Sequence, residues 1–167
     1  MSWRLARAEF NRGKGDDNRK AFRAIVNTGA EPGVLAYSGD EPVGWCAVAP
    51  REVYPALGRS RILAPVDERP VWSISCLFVT RSLRRSGVSV ALIRAAVVHA
   101  AAHGARVVEA YPVEPYSPTM PAAFAWTGTV SAFRKAGFTE VLRRSRTRPI
   151  MRVEVAGGRA TRRTRSS

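Results

Sequence analysis

Residues 71–111 constrain the fold of this chain more than any other segment, because they place a helical pattern between two strand patterns. VWSISCLFV (71–79) is β-branched and aromatic with no glycine or proline inside, which is typical of a strand buried on both faces. The alanine-rich run 87–103 ends at Gly104 and predicts a helix, and ARVVEAY (105–111) predicts a second strand. Strand, turn, helix and strand in this order form a βαβ unit, whose two strands are expected to be parallel. The chain is therefore expected to have a mixed α/β fold.

The flanking sequence predicts shorter elements on either side of this unit. Two apolar runs around Ser38-Gly39-Asp40 indicate a β-hairpin. The segment 50–70 is rich in proline and arginine and has the weakest helix or strand pattern of the internal sequence. Residues 112–128 hold four prolines and a glycine and predict a long loop. The other predicted elements are a helix at 17–28, hairpin strands at 33–37 and 42–49, a short helix at 52–57, a helix at 129–136, and strands at 138–145 and 149–155.

The turn LRRSGVSVAL (83–92) places two arginines, a serine and a glycine directly before the central helix. One interpretation is purely structural: Gly87 eases a tight turn, Ser86 caps the helix, and the arginines face water. The other is that backbone N–H groups at the helix start, with arginines beside them, form a receptor for phosphate. The turn by itself leaves both interpretations open.

Length and charge narrow the class of protein. The chain has 167 residues, which suits one domain that buries its own core, and no apolar stretch is long enough to span a membrane. We expect a single domain at 1–156, a disordered Arg-rich tail at 157–167 and, since the start lacks an apolar leader, a cytoplasmic location without membrane association.

The net charge is +14, but residues from Arg143 onward supply +8 of it. Because neither a helix-turn-helix nor zinc-finger spacing accompanies this charge, nucleic-acid binding is the least favoured function.

Cysteine and histidine usage gives no indication of a metal. Cys46 and Cys76 lie inside predicted strands without CxxC or His-flanked spacing, so they are expected to be reduced core residues. His99 and His103 are four residues apart on the predicted helix, but the sequence shows no third ligand beside them. No metal site is expected.

Two motifs, in this order of elements, resemble the GNAT superfamily of acyl-CoA-dependent N-acyltransferases. The family signature, Arg/Gln-x-x-Gly-x-Gly/Ala between its fourth strand and third helix, is matched by residues 84–89 (RRSGVS), with Ser89 at the final small position. SAFRKAGF (131–138) resembles the family's closing helix and its Gly-Phe turn into the next strand. The resemblance covers about residues 17–155. It implies a GNAT-like central twisted mixed β-sheet flanked by helices, with splayed fourth and fifth strands, which here are the two strands of the βαβ unit.

The resemblance also implies acetyl-CoA as co-substrate. Backbone N–H groups from Arg85 to Val90 would receive its pyrophosphate, and Gly87 would let the backbone approach closely. Arg84 and Arg85 would add positive charge, and the pantetheine arm would lie along the strand end like an added strand. The expected cofactor-binding residues are therefore Leu77, Phe78, Val79, Arg84, Arg85, Ser86, Gly87, Val88, Ser89 and Val90.

The catalytic residues that are usual in the family are missing. Ser73 stands at the position of its strand glutamate base, and Phe133 stands at the position of its tyrosine acid. Glu109 is equally compatible with a base and with a structural carboxylate paired with arginine. The catalytic candidates are Glu109 and then Glu114 as base, Tyr111 or Tyr116 as acid, and a water oriented by Ser73.

These observations predict an N-acyltransferase that moves an acetyl or other short acyl group from acyl-CoA to an amine by direct attack. The acceptor is expected to be an amine-bearing small molecule or a protein, and assembly into a homodimer stays open. Because both usual catalysts are missing, a non-catalytic acyl-CoA-binding module is the main alternative.

Overall fold

The protein is described here by a computed structural model that covers residues 1–115 and 121–155. Its strands are β1 (Gly33–Ser38), β2 (Glu41–Pro50), β3 (Trp72–Val79), β4 (Val107–Ala110), β5 (Thr139–Arg143) and β6 (Pro149–Glu154). Its α-helices are α1 (Arg7–Arg12), α2 (Asp16–Asn27), α3 (Pro55–Gly58), α4 (Val88–Ala102) and α5 (Val130–Lys135). The strands form one six-stranded mixed sheet in the order β1-β2-β3-β4-β6-β5. The expected fold class is confirmed.

The sheet opens between the two parallel strands of the βαβ unit. β3 and β4 pair over only three residue pairs, the last of which joins Ile74 to Ala110. Beyond that point β3 runs on to Val79, whereas β4 ends and pairs with β6 on its other edge. The outer half of β3 therefore has no strand beside it on this edge, which is the splay that the resemblance implies.

Helix α4 packs closely on one face of the sheet. Leu92, Ile93, Ala96 and Ala100 are its buried residues, and their spacing places them on the side that meets the strands. A side chain at Gly44 on β2 would require Leu92 to shift, because its Cβ would lie 2.8 Å from the Leu92 Cδ1 atom. This packing fixes the start of α4 beside the end of β3.

The opposite face of the sheet carries a second apolar cluster. Tyr54, Leu57 and Leu63, from the segment that joins β2 to β3, pack there with Tyr111 and Ile150. The segment 50–70, which has the weakest secondary-structure pattern in the sequence, thus covers this face of the sheet.

The structure corrects several local predictions. α1 is not predicted by the sequence pattern, because its six residues include one large apolar side chain, Phe10, which is too few for an apolar periodicity. The short helix expected at 52–57 is interrupted at Tyr54, which separates a 3₁₀ turn from α3. The loop expected at 112–128 contains a 3₁₀ turn at Ala122–Ala125. All other predicted boundaries lie within two residues of those observed.

Two sequence predictions fall outside the described residues: the tail at 157–167 and the role of Tyr116. Within the described ranges, none of the helices has the length and apolar character needed to cross a membrane.

Candidate active site

The turn that precedes α4 has an unusual backbone. Arg85 and Gly87 both have positive φ angles, of 68° and 91°. Glycine adopts such an angle without strain, and a Cβ at Gly87 would meet nothing within 4 Å, so the backbone conformation rather than packing requires glycine there. Ser86 does not cap the helix as the structural interpretation expects, because its hydroxyl donates to the Leu83 carbonyl oxygen at 2.6 Å. The space above Gly87 is open to a ligand.

This conformation leaves a row of backbone donors without acceptors. The N–H groups of residues 85–89 have no hydrogen-bond acceptor among residues 1–115 and 121–155. Val90 differs from the sequence prediction, because its N–H donates to the Gly87 carbonyl oxygen at 2.9 Å. Five consecutive free amides thus lie in the turn and the first two residues of a 15-residue helix, at the positive end of the helix dipole. Such a surface is suited to a phosphate.

A continuous groove leads from the outer half of β3 to these amides. Its first part, of about 530 Å³, is lined on one side by Leu77, Phe78 and Val79, which the sequence assigns to the cofactor. Ser89 lines both this part and a second hollow of about 490 Å³ at the turn. Lys135 adds a cation to the second hollow. The two hollows thus share Ser89 as a lining residue, and the cofactor roles of the residues around them stay predictions.

Two stacked tryptophans occupy the opening between β3 and β4. The Leu77 N–H donates to the Trp126 carbonyl oxygen at 2.7 Å, and the Trp3 indole N–H donates to the Ser75 carbonyl oxygen at 3.1 Å. Their ring centroids are 5.6 Å apart. A ligand that pairs with the edge of β3 as an added strand has to displace the Trp126 carbonyl from Leu77.

An aromatic pocket lies next to this opening. It has a volume of about 380 Å³, and its walls include Trp3, Trp45, Tyr54, Cys76 and Trp126. The side chain of Trp126 therefore borders both the groove and the pocket. A small acceptor could reach the edge of β3 from this side.

Tyr54 places a buried hydroxyl at the wall of the pocket, and the sequence analysis does not identify it. The residue is 2% exposed, and its hydroxyl has no hydrogen-bond partner in the described part of the chain, although the Ser75 hydroxyl lies close to it. Burial raises the pKa of Tyr54, so the phenol stays protonated at neutral pH. A buried donor without a partner is costly unless a ligand or water accepts from it.

Glu109 lies in a buried network on the same face of the sheet. Its carboxylate is fully buried and accepts hydrogen bonds from Arg51 at 2.9 Å, Arg152 at 2.8 Å and the Tyr111 hydroxyl at 2.6 Å. The Tyr111 hydroxyl also contacts Arg51 and lies 2.8 Å from the Ser73 hydroxyl. Burial and the neighbouring Glu109 charge raise the pKa of Tyr111. Three side chains thus bind one carboxylate, and the two arginines among them are distant from Glu109 in sequence.

The structure brings Ser73, Glu109 and Tyr111 together but does not place them on the walls of the groove or of the aromatic pocket. Glu114 lies elsewhere, with its carboxylate 2.7 Å from Arg143 near the surface. Phe133, at the position of the family's tyrosine, is buried and packs edge-on against Phe138 at 5.0 Å. The catalytic roles of Glu109, Tyr111, Glu114 and Tyr116 stay predictions.

The two cysteines are both free thiols. Cys46 is fully buried, whereas Cys76 is only half-buried and borders the aromatic pocket. Burial raises the pKa of both thiols, so neither is activated as a nucleophile.

Comparison with known proteins identifies the class. The sequence profile described as "Acetyltransferase (GNAT) family" matches residues 2–123, so the chain belongs to the GNAT family of acetyltransferases. No curated protein sequence matches the chain significantly.

Solved structures of the same family share the fold. The chain is similar to a ribosomal-protein-alanine N-acetyltransferase from Brucella melitensis, with a TM-score of 0.54 and 17% identity over 83% of this chain and 78% of the other. It is also similar to a phosphinothricin acetyltransferase from Sinorhizobium meliloti in complex with acetyl-CoA, with a TM-score of 0.53 and 18% identity over 88% and 74%. A GNAT-family protein from Desulfovibrio desulfuricans gives a TM-score of 0.54 and 20% identity over 84% and 80%. At these identities the likeness concerns the fold.

Proposed function

We propose that this protein transfers an acetyl group from acetyl-CoA to an amine, with the coenzyme held in the groove between β3 and α4. The observation that carries the proposal is the row of five free N–H groups at residues 85–89, beside a groove along the edge of β3 that has no neighbouring strand. Phosphate is the ligand that such a donor row favours, and a strand edge favours an extended amide-bearing chain. Coenzyme A contains both groups in one molecule.

The residues of the chain fit the two ends of this co-substrate. The amides of residues 85–89 and the charges of Arg85 and Lys135 would receive the pyrophosphate at the turn. The main chain of residues 77–79 would hold the pantetheine arm. When bound, acetyl-CoA supplies the activated acyl group. The protein would polarise the acyl carbonyl, hold the amine and supply a proton to the thiolate.

The Leu77 N–H is the proposed donor for polarising the acyl carbonyl. It lies at the edge of β3 where the groove and the aromatic pocket meet, and it is bonded to the Trp126 carbonyl in this structure. Movement of the segment that carries Trp126 would expose it. A fixed backbone donor of this kind stabilises the negative charge that develops on the oxygen during attack.

The aromatic pocket is the proposed site of the amine. Amine attack requires a neutral nitrogen, and the departing thiolate requires a proton. Tyr54 is the proposed proton donor to the thiolate, because its hydroxyl is protonated, buried and without a partner at the pocket wall. As the C–N bond forms and the C–S bond breaks, the attacking nitrogen gives up one proton to the Tyr54 oxygen, so the products are an amide, a free thiol and the regenerated phenol.

Glu109 has a different proposed part. Two guanidinium groups and a phenol already bind its carboxylate, and it has no exposed surface. These contacts support a positioning role, in which Glu109 holds Tyr111 and Ser73 below the opening of the sheet. Replacing Glu109 with glutamine tests whether the carboxylate also accepts a proton.

The test is amine-dependent release of free thiol from acetyl-CoA. The full chain is incubated with acetyl-CoA and a panel of small amines and peptides, and thiol is measured over a pH series. The rate should rise with pH as the acceptor loses its proton, and it should fall strongly in the Tyr54→Phe variant. Coenzyme A binding without transfer to any acceptor would favour the non-catalytic module, and absence of coenzyme A binding would refute both functions.

A further inference from the structure

Three metal-ligating side chains from distant parts of the sequence meet near the C-terminal end of α4. His99 and His103 lie one helical turn apart on this helix, and Glu31 comes from the connection between α2 and β1. One donor atom of each residue lies within 4.8 Å of the other two. Glu31 Oε2 is 3.6 Å from His99 Nδ1 and 3.5 Å from His103 Nε2.

These separations suit joint coordination of one ion better than direct hydrogen bonding, which prefers shorter distances. Zinc binds imidazole nitrogen and carboxylate oxygen at about 2.0–2.2 Å in tetrahedral geometry, which places two ligand atoms about 3.4 Å apart. The Glu31 oxygen already stands at about this distance from a nitrogen of each histidine. The three donor atoms all lie within 4.8 Å of one another.

The imidazole of His103 is oriented for coordination. Its Nδ1 atom lies 2.9 Å from the His99 carbonyl oxygen. When the ring proton sits on Nδ1, this N–H donates to the carbonyl, and the lone pair of Nε2 faces Glu31. Histidine ligands in metal sites are commonly held in this way through their second nitrogen.

The imidazole of His99 is largely buried, with 13% of its side chain exposed, and it is not committed to a protein acceptor. Its Nε2 atom is buried and has no hydrogen-bond partner within the described ranges. A ring proton on Nε2 leaves the lone pair of Nδ1 directed towards Glu31. Trp72 packs against both imidazoles, with ring centroids 6.0 Å from His99 and 5.6 Å from His103, and so limits their rotation.

We propose that Glu31, His99 and His103 form a structural binding site for a divalent transition metal of the zinc type, with water completing the coordination. Two imidazoles and one carboxylate suit zinc, whereas magnesium and calcium favour oxygen ligands alone. The ion would fasten the connection between α2 and β1 to α4. The site lies about 16 Å along the helix from its start, at 1.5 Å per residue, so it is independent of the proposed acetyl transfer.

The test uses the full chain prepared without a polyhistidine tag, because His99 and His103 are then its only histidines. Zinc chloride is titrated in by calorimetry, and thermal unfolding is followed at increasing free zinc. We expect one zinc ion per chain and a Tm that rises by about 5–10 °C when free zinc is a hundredfold above its Kd. Magnesium chloride should leave the Tm unchanged.

Variants identify the ligands. His103→Gln and Glu31→Gln affect side chains that are 45% and 64% exposed, so both variants should fold, and each should weaken zinc binding at least about tenfold. Cys76→Ser is the matched control for binding through a thiol and should bind zinc like the wild type. Cobalt should give a d–d absorption spectrum without a thiolate charge-transfer band.

Absence of saturable zinc binding in the wild type would overturn the proposal. Binding that survives His103→Gln, or that is lost in Cys76→Ser, would overturn it as well.

Discussion

Replacing Glu109 with glutamine should destabilise the protein strongly, because the side chain is the anion of a buried network. The substitution keeps the shape of the side chain but removes the charge between Arg51 and Arg152. Both guanidinium groups are themselves largely buried, with 11% and 7% of the side chain exposed, so water cannot replace the carboxylate. Asp67 compensates Arg152 in part, since it binds this guanidinium through two hydrogen bonds, whereas Arg51 loses the carboxylate with which it is paired.

The expected magnitude follows from this geometry. Removal of one partner from a buried ion pair costs about 3–5 kcal/mol, because it leaves an uncompensated charge in the interior. For a chain of this size, each kcal/mol lowers the Tm by about 2–4 °C, so the expected fall in Tm is about 6–20 °C. Glu114→Gln is the matched control: its carboxylate is 39% exposed and pairs with Arg143, which is 30% exposed. A pair of this kind contributes less than about 1 kcal/mol.

Differential scanning calorimetry of the two variants provides the measurement, and thiol release at a temperature where both are folded provides the second reading. A large fall in Tm together with activity within about tenfold of the wild type would assign Glu109 to positioning. A loss of about 10² or more in turnover with an unchanged Tm would instead identify it as the general base. An unchanged Tm would refute the reasoning about the buried network in either case.

Two further predictions concern the same face of the sheet. Tyr54→Phe should change the free energy of unfolding by less than about 1 kcal/mol, since its hydroxyl has no partner, and should lower kcat by about 10²-fold or more. Tyr111→Phe should lower the free energy of unfolding by about 2–4 kcal/mol, because it removes hydrogen bonds to Ser73, Glu109 and Arg51. Equal Tm values for the two variants would contradict this contrast. The Arg152 guanidinium holds the pKa of Asp67 below its usual value of 3.8, so the stability that this pair provides is present above that value and is lost as the pH falls below it. Acid unfolding followed by circular dichroism should show a weaker dependence on pH in this range for Asp67→Asn.

The sequence predicts the elements that depend on local patterns. β3 is a continuous β-branched and aromatic run, the alanine-rich helix α4 ends at a glycine, and the hairpin of β1 and β2 turns at Gly39. The predicted boundaries of these elements agree with the structure within one residue. The turn at residues 84–89 is recognisable in the sequence because its residues are consecutive, and its role in binding phosphate stays a prediction.

The environment of the catalytic candidates is not predictable in this way. Arg51 and Arg152 are 58 and 43 residues from Glu109 in sequence, so no spacing rule connects them. Tyr54 lies in a connection without periodicity, and its pocket forms only when β2, β3 and the segment around Trp126 come together. Glu31 meets His99 and His103 through the packing of α4, which explains why a third metal ligand is invisible in the sequence.

Calorimetric titration of a Gly87→Glu variant with coenzyme A tests most directly whether the turn at residues 85–89 binds the coenzyme. A glutamate there would place negative charge among the free amides and take the open space above the turn. Loss of two charge-assisted hydrogen bonds, worth about 1.5–3 kcal/mol each, should reduce the affinity for coenzyme A at least about 100-fold. The matched control is Gly104→Glu, which has a similar φ of 85° and equally open surroundings at the far end of α4, and so shares the backbone strain and the added charge. We expect Gly104→Glu to bind coenzyme A like the wild type and Gly87→Glu to bind it at least about 100-fold more weakly. Equal affinities in the two variants would show that the turn at residues 85–89 does not bind coenzyme A.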